Sequence, residues 1–275
     1  MEQRTLARLQ APHEVLRRMV AMAGVQPNQD AESYYDEMFV QIHEDRIETP
    51  AGSIGSSLAT YGTVSTDVLS DVTIDCGQPV TAIFDIQETL RWFAWVATAP
   101  SEELTVEFIG DPDSGIASDL RVSTPDITAR IDCYRDPELF EQITMELPDR
   151  FTDEERFRLE DGSLAPTVVE TTAETVRRIA NGIDLDPNLS TYPFVVEDGQ
   201  LRVVLRNRQY TRATGTLDAT VEGPDVENEY GEAFAALFDA VSGELTVQTG
   251  PAEPLVVVQE RPAYTLRYVV LPKVW

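Results

Sequence analysis

The stretch Glu14-Val-Leu-Arg-Arg-Met-Val-Ala21 recurs 160 residues later as Glu174-Thr-Val-Arg-Arg-Ile-Ala-Asn181. The glutamate, both arginines and the apolar positions coincide in the two copies. A short strand-like piece precedes each copy, at Thr5–Gln10 and Thr167–Thr171. Self-similarity at a fixed offset indicates repeated structural units. The chain is therefore predicted to contain two similar halves.

A second pair of segments obeys the same plan. The apolar stretch Leu90–Val96 is followed, after a loop, by Glu-Leu-Thr-Val at 103–106. The apolar stretch Phe234–Val241 is followed by Ser-Gly and then by Glu-Leu-Thr-Val at 244–247. Each half of the 275-residue chain is thus predicted to run strand, helix, strands, helix, strands.

Hydrophobic periodicity assigns the elements within each half. Helical spacing marks four segments, Pro12–Ala23, Ile86–Ala97, Thr172–Ile183 and Glu229–Val241. Alternation of apolar and polar residues marks eight strands, Met38–Ile42, Leu104–Ile109, Asp119–Val122, Ile127–Cys133, Leu201–Leu205, Leu245–Gln248, Leu255–Val258 and Thr265–Val270. We predict an α+β fold of two tandem domains, each with two helices packed on one face of an antiparallel sheet.

The charged stretch between the halves predicts a domain boundary. It carries Pro137, Pro148, Gly162 and few apolar residues, so we interpret it as a connector over the surface. The predicted organisation is an N-terminal domain at 1–135, a connector at 136–163 and a C-terminal domain at 164–275.

The apolar stripes of the helices predict which side chains point outward. The inward sets are Leu16, Met19, Val20 and Ala23, then Ile86, Leu90, Phe93, Ala94 and Ala97, then Val176, Ile179, Ala180 and Ile183, and finally Tyr230, Phe234, Leu237, Phe238 and Val241. Arginine pairs lie off the stripe on the first and third helices. Such pairs are compatible with a solvated helix face with local Glu–Arg pairing, or with a basic surface that binds a partner.

The charge balance is unusual for a globular protein. There are 48 Asp and Glu residues against 21 Lys and Arg residues, a formal charge of −27, and Lys273 is the single lysine. Such a charge ordinarily disfavours a nucleic-acid partner. The acidic residues are scattered through the sequence, which favours adaptation to very high salt, where charge repulsion is screened. Net charge is then no guide to the partner.

No catalytic or metal-binding pattern is present. The histidines His13 and His43 match no metal spacing, and the cysteines Cys76 and Cys133 form neither a disulfide framework nor a metal motif. The sequence lacks nucleophile-elbow, Walker and dinucleotide-binding signatures. Trp92 and Trp95 are expected to be packing residues. We expect no enzyme activity, no metal and no cofactor. Without an apolar signal region or an apolar run of about 18 residues, the protein is expected to be cytoplasmic.

This pattern resembles the sliding clamps of archaea and eukaryotes, the proliferating cell nuclear antigen (PCNA) family. The resemblance rests on the repeated architecture and covers essentially the whole chain. Its sharpest local match is the C-terminal stretch, in which Pro254-Leu-Val-Val-Val and Tyr264-Thr-Leu-Arg-Tyr-Val-Val-Leu-Pro-Lys-Val resemble the closing strands of the family. The connector is longer and more charged than the family's. We expect a divergent member from a high-salt archaeal cell or from a virus that infects one.

The resemblance implies a head-to-tail homotrimer whose helices line a channel around duplex DNA. Five arginines would then face the phosphates without reading sequence, namely Arg17, Arg18, Arg91, Arg177 and Arg178. Edge strands would close the ring, with Ile127, Ala129 and Ile131 of one subunit beside Val203 and Leu205 of the next. A second arginine group could serve that interface or the DNA; it comprises Arg202, Arg206, Arg208 and Arg212.

The family also implies a pocket for short peptide motifs of DNA polymerase, the clamp loader and other replication enzymes. By position in the sequence, the pocket would take Ile54, Ile143, Met145, Leu147, Pro254, Leu271 and Pro272. The function expected is therefore a DNA-tethering scaffold, a processivity factor. Two alternatives stay open: a structural or virion protein built of repeated β-rich domains, and a clamp-related monomer that regulates replication.

Overall fold

The computed structural model describes residues 4–23, 36–51, 57–134, 147–183, 185, 189–206 and 211–273, without the side chains of Met22, Ala23 and Arg212. The chain divides into two compact units. Unit 1 comprises Met1–Gly52, Tyr61–Thr144 and Arg261–Thr265, and unit 2 comprises Ser53–Thr60, Met145–Glu260 and Leu266–Trp275. The domain boundaries predicted at residues 135 and 164 stay predictions.

Among its described residues, unit 1 contains two α-helices, a short 3-10 helix at Thr66–Val68 and a largely antiparallel sheet. The helices are α1 (His13–Ala23) and α2 (Ile86–Val96). The strands are β1 (Arg4–Pro12), β2 (Glu37–Ile42), β3 (Arg46–Ala51), β4 (Leu58–Ser65), β5 (Asp71–Ile74), β6 (Val80–Asp85), β7 (Glu103–Asp111), β8 (Ile116–Ser123) and β9 (Thr128–Asp132), of which β4 lies partly in unit 2. The sheet order is β3-β2-β6-β8-β7-β1-β5, and β9 pairs with β8.

The sequence explains why α2 begins where it does. Asp85 ends β6 in an extended conformation, and its carboxylate accepts the backbone N–H of Glu88 at 2.6 Å, which caps the helix. Ile86, Thr89, Phe93 and Val96 then form the buried stripe. Helix α2 packs on β6, β8 and β9, and it also contacts α1.

The part of unit 2 that the structure describes repeats this plan with two more α-helices. They are α3 (Ala173–Ile183) and α4 (Glu232–Ala240). The strands are β10 (Thr167–Thr172), β11 (Tyr192–Glu197), β12 (Gln200–Arg206), β13 (Thr211–Thr216), β14 (Thr220–Glu222), β15 (Val226–Tyr230), β16 (Glu244–Thr249), β17 (Leu255–Arg261) and β18 (Tyr264–Val270), of which β18 lies partly in unit 1. One sheet contains β14-β10-β16-β17-β18, and a second has the order β13-β12-β11-β15.

The predicted helices are confirmed with corrections at two places. Helix α4 begins at Glu232 instead of Glu229, because Glu229 and Tyr230 pair with β11 as the end of β15. In α2, Ala94 was predicted to be buried but is exposed, since the apolar stripe is centred on Thr89 and Val96 instead. Among the described residues, no helix is both long and apolar enough to cross a membrane.

The aromatic residues of α2 also differ from the prediction. Trp92 is half-buried and packs against the core of unit 1. Trp95 is 59% exposed, so the prediction that it serves core packing is wrong. Periodicity did not separate the two tryptophans, because both flank the buried stripe of α2.

The second part of the predicted connector packs as part of unit 2. Residues 147–165 include a short 3-10 helix at Pro148–Arg150 and two isolated bridges, one of which joins Phe151 to Phe157. Phe157 is buried against Val256 and Val269. This segment is therefore a packed cover over β17 and β18. Residues 135–146, including Phe140, Ile143 and Met145 of the predicted connector, lie outside the described residues.

Candidate DNA-facing arginines, sheet edges and partner pocket

Three of the five predicted DNA-facing arginines are exposed on helices. Arg18 forms an ion pair with Glu14 at 2.9 Å, one turn earlier on α1. Arg91 on α2 and Arg178 on α3 are exposed and make no hydrogen bond or ion pair with the described residues. Arg18 and Arg178 occupy equivalent positions of the repeat. A surface cation that is not paired within its own subunit is available to bind an anion.

Arg177 has a role that the sequence prediction missed. Its Nε donates to the carbonyl of Phe238 and its Nη2 donates to the carbonyl of Val241, both at 2.8 Å. These carbonyls belong to the C-terminal end of α4, where a cation is favoured by the helix dipole. Asp239 lies 3.6 Å from the same guanidinium. Arg177 is therefore engaged in holding α3 to α4 and is a poor DNA contact.

Arg17, its repeat equivalent, is half-buried beside His13. Burial and the charge of Arg17 lower the pKa of His13 below its ordinary value. The repeated arginine pair thus divides into two roles. The first arginine lies against its own unit, and the second one projects into solvent.

One of the two predicted interface strands is an edge and the other is not. Strand β9 pairs with β8, and its other side has no partner strand among the described elements. Its side chains alternate, because Ala129 and Ile131 are buried whereas Thr128, Arg130 and Asp132 are exposed. Ile127 is half-buried just before this strand.

The prediction that Leu201–Leu205 forms an edge strand is wrong. Strand β12 pairs with β11 on one side and with β13 on the other, so Val203 and Leu205 lie inside the sheet. Strand β13 is the edge next to it. The sequence Thr-Arg-Ala-Thr-Gly-Thr of β13 was missed because its described side chains are mostly exposed on both faces and show no apolar alternation.

The two arginines near this edge whose side chains are described are paired within their own unit. Arg202 forms an ion pair with Glu197, and Arg206 forms one with Glu227 at 2.6 Å. Arg212 lies on β13 with its side chain outside the described part, and Arg208 lies outside it altogether. Both pairs are partly or largely exposed, so they contribute little to stability.

A buried polar network positions the turn before Pro254. The side-chain amide of Asn228 donates to Tyr230 Oη at 3.0 Å and to the carbonyl of Gly250 at 2.8 Å. Its oxygen accepts the N–H of Ala252 at 2.9 Å, and Tyr230 Oη donates to the carbonyl of Glu253 at 3.2 Å. Burial raises the pKa of Tyr230 to about 12. No local sequence pattern predicts this network, because its residues are far apart in the sequence.

Tyr230 also meets the C-terminal residues that were predicted for the pocket. Its backbone forms an isolated bridge with Pro272, and the N–H of Leu271 donates to the carbonyl of Ser57 at 3.1 Å. Leu271 is exposed, whereas Pro254 and Pro272 are half-buried. The structure thus brings the Pro254 turn and Pro272 to the same tyrosine.

The other predicted pocket residues divide into two groups. Leu147 packs against the buried cluster around Phe157, so it belongs to the cover over β17 and β18. Ile54, Ile143 and Met145 lie outside the described residues. Within the described part of the chain, no group of three or more acidic, histidine or cysteine side chains has a metal-binding arrangement.

No protein-family model matches the sequence, and no curated protein matches it. Solved structures match almost the whole chain. PCNA from Entamoeba histolytica has 10% sequence identity and a TM-score of 0.70, covering 98% of this chain and 100% of that chain. A. fulgidus PCNA, with the C-terminal region of FEN-1 bound, has 13% identity and a TM-score of 0.69, covering 98% and 99%. PCNA from Thermococcus kodakaraensis has 13% identity and a TM-score of 0.68, covering 97% and 100%.

The chain therefore has the fold of the DNA clamps, an α+β architecture of repeated helix-and-sheet units. The particular clamp to which it is similar is proliferating cell nuclear antigen. The predicted fold class is confirmed.

Proposed function

We propose that the protein is a sliding clamp, a non-enzymatic ring of three identical subunits that encircles duplex DNA and tethers replication enzymes. The observation that carries this proposal is the PCNA fold over 97–98% of the chain, with exposed arginines at equivalent positions of the repeated helices. Encirclement holds a protein on DNA by topology, so strong binding to the phosphates is unnecessary.

The DNA-facing set of this proposal is reduced to Arg18, Arg91 and Arg178. These three cations are exposed on helices α1, α2 and α3, whereas Arg177 is engaged with α4 and Arg17 is half-buried. A trimer would present about nine such cations to phosphates, without reading base sequence. The channel would then be locally basic inside a subunit whose net charge is −27.

The ring would close through strands β9 and β13. Among the described strands both are edges, and an exposed edge is a template for pairing with another chain. Because β9 belongs to unit 1 and β13 to unit 2, pairing them between copies is heterologous and produces a ring when the rotation closes. A related precedent is the Sulfolobus tokodaii structure of a PCNA2–PCNA3 complex, which has 13% identity, a TM-score of 0.66 and coverage of 97% and 99%.

Partner peptides would dock near Pro254, Leu271 and Pro272. The Asn228–Tyr230 network supports this assignment of the docking site. Asn228 holds the turn before Pro254 through the carbonyl of Gly250, and Tyr230 forms a bridge with Pro272. The A. fulgidus clamp supports the kind of partner, since it is bound to the C-terminal region of FEN-1. DNA polymerase and a clamp loader are the expected partners, in the cytosol of a high-salt cell or of a virus-infected one.

Two measurements test the proposal together. Light scattering in multimolar KCl should give a mass about three times 30.6 kDa. Addition of the protein to its cognate polymerase on primed circular DNA should lengthen the products made in one binding event. A strict monomer under these conditions, or unchanged product length with a verified polymerase, contradicts the proposal. A stable assembly without any effect on DNA synthesis would favour the structural-protein alternative.

A further inference from the structure

Two tryptophans on α2 form an aromatic corner that has no role in the proposed clamp function. The rings of Trp92 and Trp95 meet edge to face, with centroids 5.6 Å apart and ring planes at 88° to each other. Trp92 is half-buried and packs against the core of unit 1, whereas Trp95 is 59% exposed. An open cavity of about 730 Å³ lies against both rings. This volume is in the range of small-molecule sites.

The local structure of unit 1 holds the walls of this cavity in place. Asp85 caps α2, and the carbonyl of Asp36 accepts the N–H of Ile86 at 2.8 Å, at the start of the same helix. Glu88 accepts a hydrogen bond from Trp92 Nε1 at 3.3 Å, one turn further along α2. These contacts fix the indole pair and the neighbouring carboxylates relative to one another, so the cavity is formed before any ligand arrives.

The cavity has an excess of negative charge. Asp36, Asp85 and Glu88 line it, and none of them forms an ion pair with another described residue. Burial and the charges of Asp36 and Asp85 raise the pKa of the neighbouring Glu37. Arg91 also lines the cavity, but it makes no hydrogen bond or ion pair with these carboxylates and stays in the DNA-facing set. The carboxylates therefore repel one another without a paired cation.

Tyr134 places a third aromatic side chain near the same carboxylates. It is 40% exposed. Burial raises its pKa, and so do four surrounding carboxylates, which are those of Glu37, Asp85, Glu88 and Asp36. The negative charge that lines the cavity is thus bordered by aromatic rings on more than one side.

Aromatic faces bounded by carboxylates match one ligand chemistry, an alkylated ammonium head group. Such a group has a positive charge and an apolar methyl surface, and it needs no hydrogen-bond acceptor. The face of an indole ring attracts the charge, and nearby carboxylates add to the attraction. An anionic ligand would be repelled. A bare metal ion would need several convergent ligands, and the described residues contain no group of three or more acidic, histidine or cysteine side chains so arranged.

We propose that the corner of Trp92 and Trp95 binds the quaternary ammonium head group of a small organic cation, with the carboxylates of Asp36, Asp85 and Glu88 as its counter-charges. Trp95 supplies the exposed ring face, and Glu88 holds the ring of Trp92 in position. The site lies within unit 1 of a single chain, so it depends neither on ring closure nor on DNA. It gives a protein whose proposed partners are macromolecules a separate site for a solute.

The test measures binding of choline to the full-length protein at fixed ionic strength, with choline chloride replacing NaCl. Saturation-transfer NMR of the choline methyl protons gives a signal that does not depend on the tryptophan content of the variant. The neutral analogue 3,3-dimethylbutan-1-ol has the same shape without the charge and should bind at least about 10-fold more weakly. Trp95→Leu should weaken choline binding about 3–30-fold, and Trp95→Phe, which retains an aromatic face, should weaken it less.

The contribution of the carboxylates is tested by a second pair of variants. Glu88→Gln keeps an acceptor for Trp92 Nε1 but removes the charge, and it should weaken choline binding about 2–5-fold. Asp113→Asn, the same kind of change on an exposed turn of unit 1, is the matched control and should leave binding unchanged.

The outcomes separate a cation site from the alternatives. Equal binding of choline and its neutral analogue would overturn the inference, because the contact would then be merely apolar. Undiminished binding by folded Trp95→Leu, or no binding of choline to wild type, would overturn it too; if Trp95→Leu does not fold, Trp95→Phe and Glu88→Gln decide. A trimethyllysine peptide that binds where choline does not would place the cation on a partner protein and overturn the assignment to a small solute. Each of these failures leaves the proposed clamp function standing, since trimer mass and DNA synthesis are measured separately.

Discussion

Removal of the Arg267 guanidinium is expected to loosen the cover formed by residues 147–165. Arg267 lies on β18, and its Nε donates to Glu155 Oε2 at 2.5 Å while its Nη2 donates to Oε1. The guanidinium also lies 5.4 Å from the centre of the Phe151 ring. The side chains are only 10% and 20% exposed. Gln248 makes two hydrogen bonds to the same segment. Its Nε2 donates to the Glu155 carbonyl at 2.6 Å, and its Oε1 accepts the N–H of Phe157 at 2.9 Å.

The magnitude follows from the burial of this pair. Loss of one partner of a buried ion pair costs about 3–5 kcal/mol, because the other charge stays buried without a counter-ion. The residual exposure of Glu155 admits water, so we expect about 2–3 kcal/mol for Arg267→Met, which retains most of the apolar volume. Glu155→Gln should cost about the same, roughly 2–3 kcal/mol, since it leaves the more buried Arg267 cation without a counter-ion and turns an amide N–H toward one of its two donors.

The assay is a double-mutant cycle measured by denaturant unfolding at one fixed salt concentration. The double variant should cost less than the sum of the two single variants, by at least about 1 kcal/mol. Hydrogen exchange should accelerate in residues 147–165 of Arg267→Met, while the strands of unit 1 keep their protection. Two single effects below about 0.5 kcal/mol that simply add would mean that the pair behaves as a solvated surface contact and does not hold the cover in place.

Three further predictions concern pH, DNA and salt. Burial raises the pKa of Tyr230 to about 12, so the stability linked to its proton is intact below about pH 10 and is lost as pH rises through 12. Over that window the free energy of unfolding of wild type should fall by about 2–3 kcal/mol relative to that of Tyr230→Phe. Parallel curves of unfolding free energy against pH for the two proteins would contradict this prediction. Replacing Arg18, Arg91 and Arg178 by Gln should weaken DNA binding at low salt and lower the slope of log K against log[salt] by roughly one for each phosphate contact removed. Arg206→Gln is the control: Arg206 is as exposed as Arg18 and also paired with a glutamate, but it lies on strand β12 and not on a helix, so the slope should stay unchanged. Because the net charge is −27, the midpoint of thermal unfolding should rise steeply between about 0.1 and 2 M KCl; a flat response would contradict adaptation to high salt.

The sequence predicted the helices well because the spacing of apolar residues that marks a helix is a local pattern. Each amphipathic stripe needs only the spacing of apolar residues, and helices α1, α2 and α3 begin and end within one residue of the prediction. The start of α4 was wrong because Glu229 and Tyr230 obey the pairing with β11, a contact remote in sequence. The local pattern around them suits a strand or a helix.

The errors at the candidate interface have a different cause. An edge strand has exposed faces, so β13 lacks the apolar alternation that made β12 visible in the sequence. Arg177 was assigned to DNA because it lies off the apolar stripe, but its partner carbonyls come from α4, 61 and 64 residues away in sequence. Partners of this kind can be seen only after the chain has folded.

Encirclement of DNA can be measured as retention on end-blocked DNA. The protein is allowed to thread onto linear duplex DNA in high salt, and both ends are then blocked with bound streptavidin. After a wash with salt that abolishes phosphate contacts, an encircling protein stays on the blocked DNA and leaves when a restriction enzyme cuts the DNA between the blocks. Equal loss of protein from cut and uncut DNA would contradict encirclement.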